Sequence, residues 1–320
     1  MKAIRIVPDD TKINFIGVRL FAFVFSAVMI AASLGLVATK GLNFGIDFTG
    51  GTAIEIRVTE DPDLAEMRTR LNDLGLGGIS IQEFGDVRDL MVRLPQQEGG
   101  AEEQQEAIAK VRAVLDEKFG DGDVDYRRVE FVGPQVGEEL KRAGLLAVIF
   151  SLMGIMAYIW FRFEWQFGIA ALIALTHDIL FIIGYFGLTQ TEFNLATVAA
   201  LLMVAGYSIN DTVVVFDRIR ENLRRYKKMP LDELFNMSVN QMLGRTVMTS
   251  VSTLLALGSL WFFGGEVIRG FVEALIVGII IGTYSSVFIA AATLLYMNLR
   301  RDALDKKPAD SDKSGAESAA

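Results

Sequence analysis

GYSINDTVVVFDRIRENLRR, residues 206–225, starts apolar and ends basic. Residues 193–205 before it are almost purely hydrophobic, so the pattern predicts a membrane helix whose last turns carry Asn210, Asp211, Asp217 and Arg218 ahead of a run of cations. Asp211 and Arg218 are seven positions apart, close to two helical turns, which sets carboxylate and guanidinium on one face. Placing an ionised side chain in lipid costs roughly 2.5–3.5 kcal/mol on insertion scales, so such groups usually face a bundle interior and mark an ion or substrate path. Arg218 has a second reading, as the first of the cytoplasmic anchors with Asp217 its exposed neighbour. Asp211 fits that reading less well, because five apolar or hydroxyl positions separate it from Asp217.

Composition agrees with a membrane protein that carries a soluble insert. Of 320 residues 52% are hydrophobic, mean hydropathy is +0.37, and yet 22% are charged. Cysteine is absent, which excludes disulfides, a thiolate nucleophile and a cysteine-ligated cluster. A net charge of −8 gives no indication of nucleic acid as a partner.

Working outward, residues 1–14 form a short polar start, and residues 15–39 form a first span with Arg19 within snorkelling reach of the interface. The apolar run exceeds the 7–15 residues of a secretory leader, so an anchor is expected rather than a cleaved signal. GLNFGIDFTGGT follows at residues 41–52. No Lys-Ser/Thr pair follows it, which argues against a phosphate-binding loop. Asp47, Phe48, Gly50 and Gly51 are expected at the junction of soluble domain and membrane, the glycines supplying tight backbone geometry and Asp47 capping or pairing locally.

The insert, residues 40–142, reads strand, helix, strand, strand, helix, strand, the order of a split βαβ, ferredoxin-like unit. It holds 13 Lys or Arg against 22 Asp or Glu, a net of −9, and presents no catalytic constellation. Further spans are expected at 143–161, 166–188, 193–217, 246–263 and 270–299, giving six with the first. Residues 218–245 are expected as a basic cytoplasmic loop whose 231–244 segment lies along the interface as a short helix, and 300–320 as a disordered tail. The fold class is thus a polytopic helical membrane protein with one α+β domain between the first and second spans. Cations gather at both termini, at Arg162 and at 218–245, so both termini are expected in the cytoplasm and the insert on the outer, periplasmic side.

A second polar site lies in the third span, where His177 and Asp178 sit mid-run in ALTHDILF. His177 either hydrogen-bonds a carbonyl or carries a proton; a metal site would need further ligands. Asp178, at that depth, is expected to be paired or titrating. Small and hydroxyl residues at 248–258 and 278–286 predict close packing of the last two spans.

FGIDFTGGT at 44–52, VGPQVG at 132–137, THD at 176–178 and GYSINDTVVVFDRIREN at 206–222 together resemble the SecD/SecF family of protein-export membrane proteins, over about residues 43–297. The resemblance implies a non-enzymatic subunit of the bacterial inner membrane, related to the resistance-nodulation-division transporters. Such a subunit works with SecD and uses the proton gradient to promote late steps of export through SecYEG. Protons are then the coupling ion, with no cofactor or metal. Implied partners are the exported polypeptide, the lipid bilayer and, further out, YajC and YidC. Asp178 and Arg218 are the positions the resemblance ties to proton use, Asp211 enters as part of the shared motif, and His177 and Asn210 are adjuncts. Movement of Arg218 relative to Asp178 would then switch proton affinity.

Two readings from other classes compete. Asp178 and Asp211, on consecutive spans, could form an intramembrane aspartyl protease pair; GYSIN before Asp211 differs from the GxGD pattern of such enzymes. A small-molecule or lipid exporter of the wider superfamily would need a second six-span half.

Overall fold

The computed structural model describes residues 7–8, 11–120, 122–297 and 299. The expected disordered tail lies outside them. The first apolar run becomes α1 (Arg19–Lys40), about 33 Å long at 1.5 Å per residue and so able to cross the hydrocarbon core. Arg19, at the start of this helix, hydrogen-bonds the Tyr296 hydroxyl (3.0 Å) and Asp232 (3.3 Å) through its guanidinium. The helix stops at Gly41, whose φ of 74° no helical residue shares.

After one short turn of helix, α2 (Ile46–Thr49), the chain enters the inserted domain. Its elements are β1 (Gly51–Val58), α3 (Leu64–Asn72), β2 (Ser80–Phe84), β3 (Asp86–Leu94), α4 (Ala101–Phe119) and β4 (Val124–Val132). The strands form one antiparallel sheet in the order β2-β3-β1-β4, the ferredoxin-like topology. Alternation decides which face is covered: Ile54 and Ile56 of β1 pair with Val92 and Leu90 of β3, Val58 pairs with Val124 of β4, and Met67, Leu71, Val111 and Leu115 close over them from the two helices. Each such side chain contributes about 1.5–3 kcal/mol on burial. This core draws only on residues 54–124, so the domain has its own hydrophobic centre.

Among the described residues six helices are long and apolar enough to cross a membrane. They are α1, α5 (Pro134–Arg162), α6 (Trp165–Thr189), α7 (Leu195–Arg225), α8 (Leu231–Phe263) and a last span made of α9 (Arg269–Ser285), a π-helical turn (Ser286–Ala290) and α10 (Ala291–Tyr296). Burial ranks them: 61% of the apolar window of α6 and 67% of that of the last span are buried, against 17% for α1 and 11% for both α5 and α8. The last span, α6 and α7 are therefore the centre of the bundle. Glycine makes the close approaches, since a Cβ on Gly278 of α9 would stand 2.3 Å from Val204 Cγ2 of α7. Across the last two spans Ser250 and Thr283 share a hydrogen bond of 2.7 Å.

The cytoplasmic loop expected at 218–245 is not a loop. α7 continues to Arg225, and the segment expected as a separate interfacial helix is the first part of α8, one unbroken helix of 33 residues. Its physical cause is the absence of any proline in the helix after Pro230, which sits at the N-cap where proline is tolerated, with Asp232 and Glu233 favourably placed in the first turn and the isolated Gly244 not enough to end the helix. The segment packs inward as well: Leu234, Phe235 and Val239 are buried, and Asn236 and Asn240 accept the backbone N–H groups of Ile16 and Ile13, both at 2.9 Å. Likewise α5 starts at Pro134, nine residues before the expected span, because Pro134 at the first position of the helix opens it directly after β4.

Candidate functional site

α6 carries His177 and Asp178 into the middle of the bundle, 3% and 1% exposed. Two hydroxyl donors and an imidazole nitrogen surround the Asp178 carboxylate. Ser208 of α7 and Ser285 of α9 donate to Oδ2 at 2.6 and 2.8 Å, and His177 Nδ1 stands 2.9 Å from Oδ1. His177 therefore faces its neighbour's carboxylate rather than a carbonyl. Gly282 lets α9 come this close, since a Cβ there would lie 3.1 Å from Ser208 Cβ and 3.6 Å from Asp178 Oδ2. The π-helical turn begins immediately after Ser285, a distortion often found where a helix is bent to present a functional group. On the other side the His177 ring lies 6.0 Å from that of Tyr284, whose hydroxyl reaches Ala22 O and Ser26 Oγ of α1, each at 3.1 Å.

Asp211 differs in kind. It is 4% exposed, yet its Oδ2 is buried without a hydrogen-bond partner. Among the described residues Asp211 forms no ion pair, and the cation whose charge bears on it without direct contact is Arg245 of α8. The hairpin explains the match in depth: Asp211 lies 14 residues before the end of α7 at Arg225, and Arg245 lies 14 residues after the start of α8 at Leu231. Antiparallel helices joined by a short turn bring those positions level.

Arg218 does not join either carboxylate. Its Nε donates to Gln241 Oε1 at 2.7 Å and its Nη1 to Glu221 at 2.6 Å, with 29% of the side chain exposed. Among the described residues no ion pair connects it to Asp178 or Asp211, so the expected Asp178–Arg218 pair is not assembled in this structure. Asp217 pairs with Arg162 at 3.3 Å on the surface. Asn210 faces outward, on a stripe of α7 that also exposes Met203 and Gly206. Along the sequence Arg245 reads only as one more cation; the signal that singles it out is its position relative to Asp211 across the hairpin.

At the opposite end of the bundle the glycine-rich segment fastens the inserted domain. Asp47 Oδ2 accepts the N–H of Leu195, the first residue of α7, at 2.9 Å, so it pairs across 148 residues and not locally as expected. A single β-bridge joins Phe44 to Phe193, and Phe48 packs against both rings at 5.9 and 6.1 Å. Gly50 and Gly51 have φ of 69° and 110°, and a Cβ on Gly51 would meet Leu94 O at 2.3 Å. From β3, Arg93 forms an ion pair with Glu192 and bonds Asn43 at 3.0 Å, while Asn43 bonds Gln190 O at 2.8 Å.

Two family models match the chain: the SecD/SecF GG motif over residues 35–62, and the C-terminal part of the protein export membrane protein SecD/SecF over residues 111–300. The protein translocase subunit SecF of Rickettsia bellii is 44% identical over 293 residues, covering 91% of this chain and 95% of that protein. Its counterpart from Cereibacter sphaeroides is 48% identical, covering 93% of each. Among solved structures, SecDF of Thermus thermophilus, a translocon-associated membrane protein, superposes with a TM-score of 0.81 at 38% identity, over 90% of this chain and 39% of that one. A SecDF structure in a super-membrane-facing form gives 0.67 at 37% identity, over 92% of this chain and 40% of that one. The chain thus spans about two fifths of the SecDF chains and nearly the full length of the two SecF relatives. With six apolar helices, a ferredoxin-like insert after the first of them, and a glycine-rich junction and C-terminal region that both match, the chain belongs to the SecD/SecF family of protein export membrane proteins.

Proposed function

We propose that this chain is an auxiliary subunit of the Sec protein translocase that works with SecD and draws on the proton gradient to promote late steps of polypeptide export. The relatives' names and the SecDF likeness support the first part, and they favour neither the protease nor the exporter reading. The observation that carries the second part is Asp211: a carboxylate in the bundle, one oxygen unpartnered, with a single arginine acting on it from the next helix. Such a carboxylate changes its proton affinity when the arginine moves, whereas Asp178 is held by hydroxyl donors from two other helices and by the neighbouring His177 ring. Asp178 then serves as the fixed polar centre of the bundle and Asp211 with Arg245 as the exchanging pair. Each charge moved across the membrane is worth about 2.3 kcal/mol per 100 mV, enough to bias two conformations that differ by a few kcal/mol.

SecD supplies what the bundle lacks. An outward-facing Asn210 beside Gly206 suits close contact with a second membrane helix better than contact with lipid tails. SecYEG, YajC, YidC and the exported polypeptide are further partners on this reading, protons are the only coupling ion, and neither enzymatic activity nor a cofactor is invoked.

The cation distribution orients the protein with Arg162 and the end of α7 in the cytoplasm and the ferredoxin-like domain on the periplasmic side of the inner membrane. Cysteines replacing Glu117 and Lys228 are both on exposed positions. The first is expected to react with an impermeant reagent in cells with a permeabilised outer membrane, and the second only after the inner membrane is opened; equal reactivity rules the orientation out.

Asp211→Asn tests the coupling. The variant keeps the shape and loses ionisation, so it is expected to reach normal membrane levels and to lose gradient-dependent export in inverted vesicles while export driven without a gradient persists. Full gradient stimulation in this variant removes Asp211 from the mechanism.

A further inference from the structure

Where α5 and α7 end, a cleft of about 580 Å³ opens between Arg162, Asp217, Arg220, Glu221, Arg224 and Arg225. Four arginines face two carboxylates. Asp217 is engaged by Arg162 at 3.3 Å, and Glu221 is taken by Arg218 at 2.6 Å from outside the cleft. Among the described residues no carboxylate stands within ion-pair distance of Arg224 or Arg225, and both are exposed. Arg162 and Arg220 are pre-positioned instead of free: both guanidinium groups lie over the Phe163 ring, at 5.0 and 5.6 Å, and Arg220 donates to Arg162 O at 3.2 Å and to Glu164 at 3.3 Å.

The cleft sits at a definite depth. Counting from Leu195 at 1.5 Å per residue, Asp217 lies roughly 33 Å and Arg224 roughly 44 Å along α7. With Leu195 taken as one edge of a hydrocarbon core of about 30 Å in a bilayer of about 40–45 Å, Asp217 falls at the start of the far headgroup layer, and Arg224 just beyond that layer reaches back to it through its long side chain. Beside it Trp160, Phe161 and Trp165 are 65%, 93% and 54% exposed, a belt of aromatic side chains at the level where such rings meet the interface.

We propose that this cleft binds the phosphate of an anionic phospholipid headgroup. Guanidinium forks match phosphate oxygens in pairs, and Arg224 and Arg225, the latter lying over the Tyr226 ring at 5.4 Å, are the donors that no carboxylate takes among the described residues. The acyl chains would run along the exposed aromatic side chains at the end of α5. The cations of this end of the chain then do more than set topology: they fix a lipid against the foot of α7, the helix that carries Asp211. The proposal does not depend on coupling to protons or on the export role.

Native mass spectrometry of the full chain released from nanodiscs tests it. Phosphatidylglycerol is expected to be retained in preference to phosphatidylcholine. Arg224→Gln with Arg225→Gln should weaken that retention at least tenfold without loss of folded protein, since neither arginine has a carboxylate partner to lose. Arg224→Lys with Arg225→Lys should fall between, keeping charge without the fork. Lys227→Gln with Lys228→Gln removes the same charge just beyond the cleft and should change retention less than twofold. Equal weakening by the two Gln pairs overturns the site in favour of diffuse surface charge, and unchanged retention in the arginine pair overturns it outright. Inorganic phosphate protecting the cleft as well as phosphatidylglycerol does would overturn the lipid assignment.

Discussion

Asp47 Oδ2 lies 2.9 Å from the backbone nitrogen of Leu195 and accepts its hydrogen, so an acid of the glycine-rich junction closes the first turn of the helix that carries Asp211. Asn194, the N-cap, takes the Thr197 N–H at 3.1 Å in the same turn. The negative charge of Asp47 also sits at the positive end of the α7 dipole. Any displacement of α7 along its axis is felt directly by the segment that leads into β1.

Asp47→Ala removes that acceptor and should cost about 1 kcal/mol, the ordinary loss for a helix cap. Asp47→Asn keeps an oxygen without the charge and should fall between. Thermal unfolding of the full chain in detergent measures both. A melting curve for the alanine variant identical to that of the wild type would show that the contact contributes nothing.

Gly51 is the sharper test of the junction. Its φ of 110°, and the 2.3 Å that would separate an added Cβ from Leu94 O, leave no conformation in which alanine fits without moving β1 from β3. Gly51→Ala should therefore lose at least ~2 kcal/mol, left-handed strain and clash together. Gly133, the N-cap of α5, links the same domain to that helix at φ −68° with nothing within 4 Å of its Cβ position, so Gly133→Ala should lose no more than the ~1 kcal/mol of a poorer cap. Folded yield of the two variants separates a stereochemical requirement from a general need for flexibility.

Inside the inserted domain, Glu66 of α3 ties the two helices together, hydrogen-bonding Lys118 of α4 and, at 2.9 Å, Arg70 of its own helix. The Lys118 hydrogen bond, with the charges of Lys118 and Arg70, holds the Glu66 carboxyl below its ordinary 4.5. The sign follows: a carboxylate whose folded-state value is depressed stabilises the domain above its unfolded value, and that contribution is lost as pH falls through the folded one. Residues 43–132 expressed alone, with a complete core of their own, should melt at a constant temperature near neutrality and at a falling one below about pH 4.5. Lys118→Met should lower the plateau and flatten that part of the acid slope; parallel curves would assign the acid loss to other carboxylates.

Alternating strands expected at 52–59 and 89–94 and two amphipathic helices make the ferredoxin-like domain legible, because one buried face forces one register; the structure places the strands at Gly51–Val58 and Asp86–Leu94. Asp178 was legible as a carboxylate in an otherwise apolar run. Its hydroxyl donors were not, since Ser208 and Ser285 come from helices 30 and 107 positions away, and serine in a membrane helix has many uses. Spacing along one helix suggested Arg218 because Asp211 and Arg218 are seven apart, and that argument cannot see a neighbouring helix. Arg245 becomes visible only once α7 runs to Arg225 and α8 starts at Leu231, which the expected loop at 218–245 concealed. The Asp47 contact with Leu195 was out of reach for the same reason, as it depends on where the end of one span meets the start of another.

The two arginines now give opposite expectations. Arg245 acts on the buried Asp211, so Arg245→Lys, which keeps a positive charge but shortens and reshapes its donor, should reduce gradient-dependent export severalfold while membrane level and assembly with SecD stay normal. Arg218 spends its guanidinium on Gln241 and Glu221 at the surface, where lysine can make an equivalent pair, so Arg218→Lys should export nearly as the wild type does. The pH profile distinguishes a role in coupling from one in packing: Arg245→Lys should shift the pH at which export is half-maximal, because it changes the charge environment of a titrating carboxylate, and Arg245→Lys combined with Asp211→Asn should lose that shift. Loss of export in Arg218→Lys with an unaffected Arg245→Lys would return the relay to Arg218 and make the α7–α8 pairing structural.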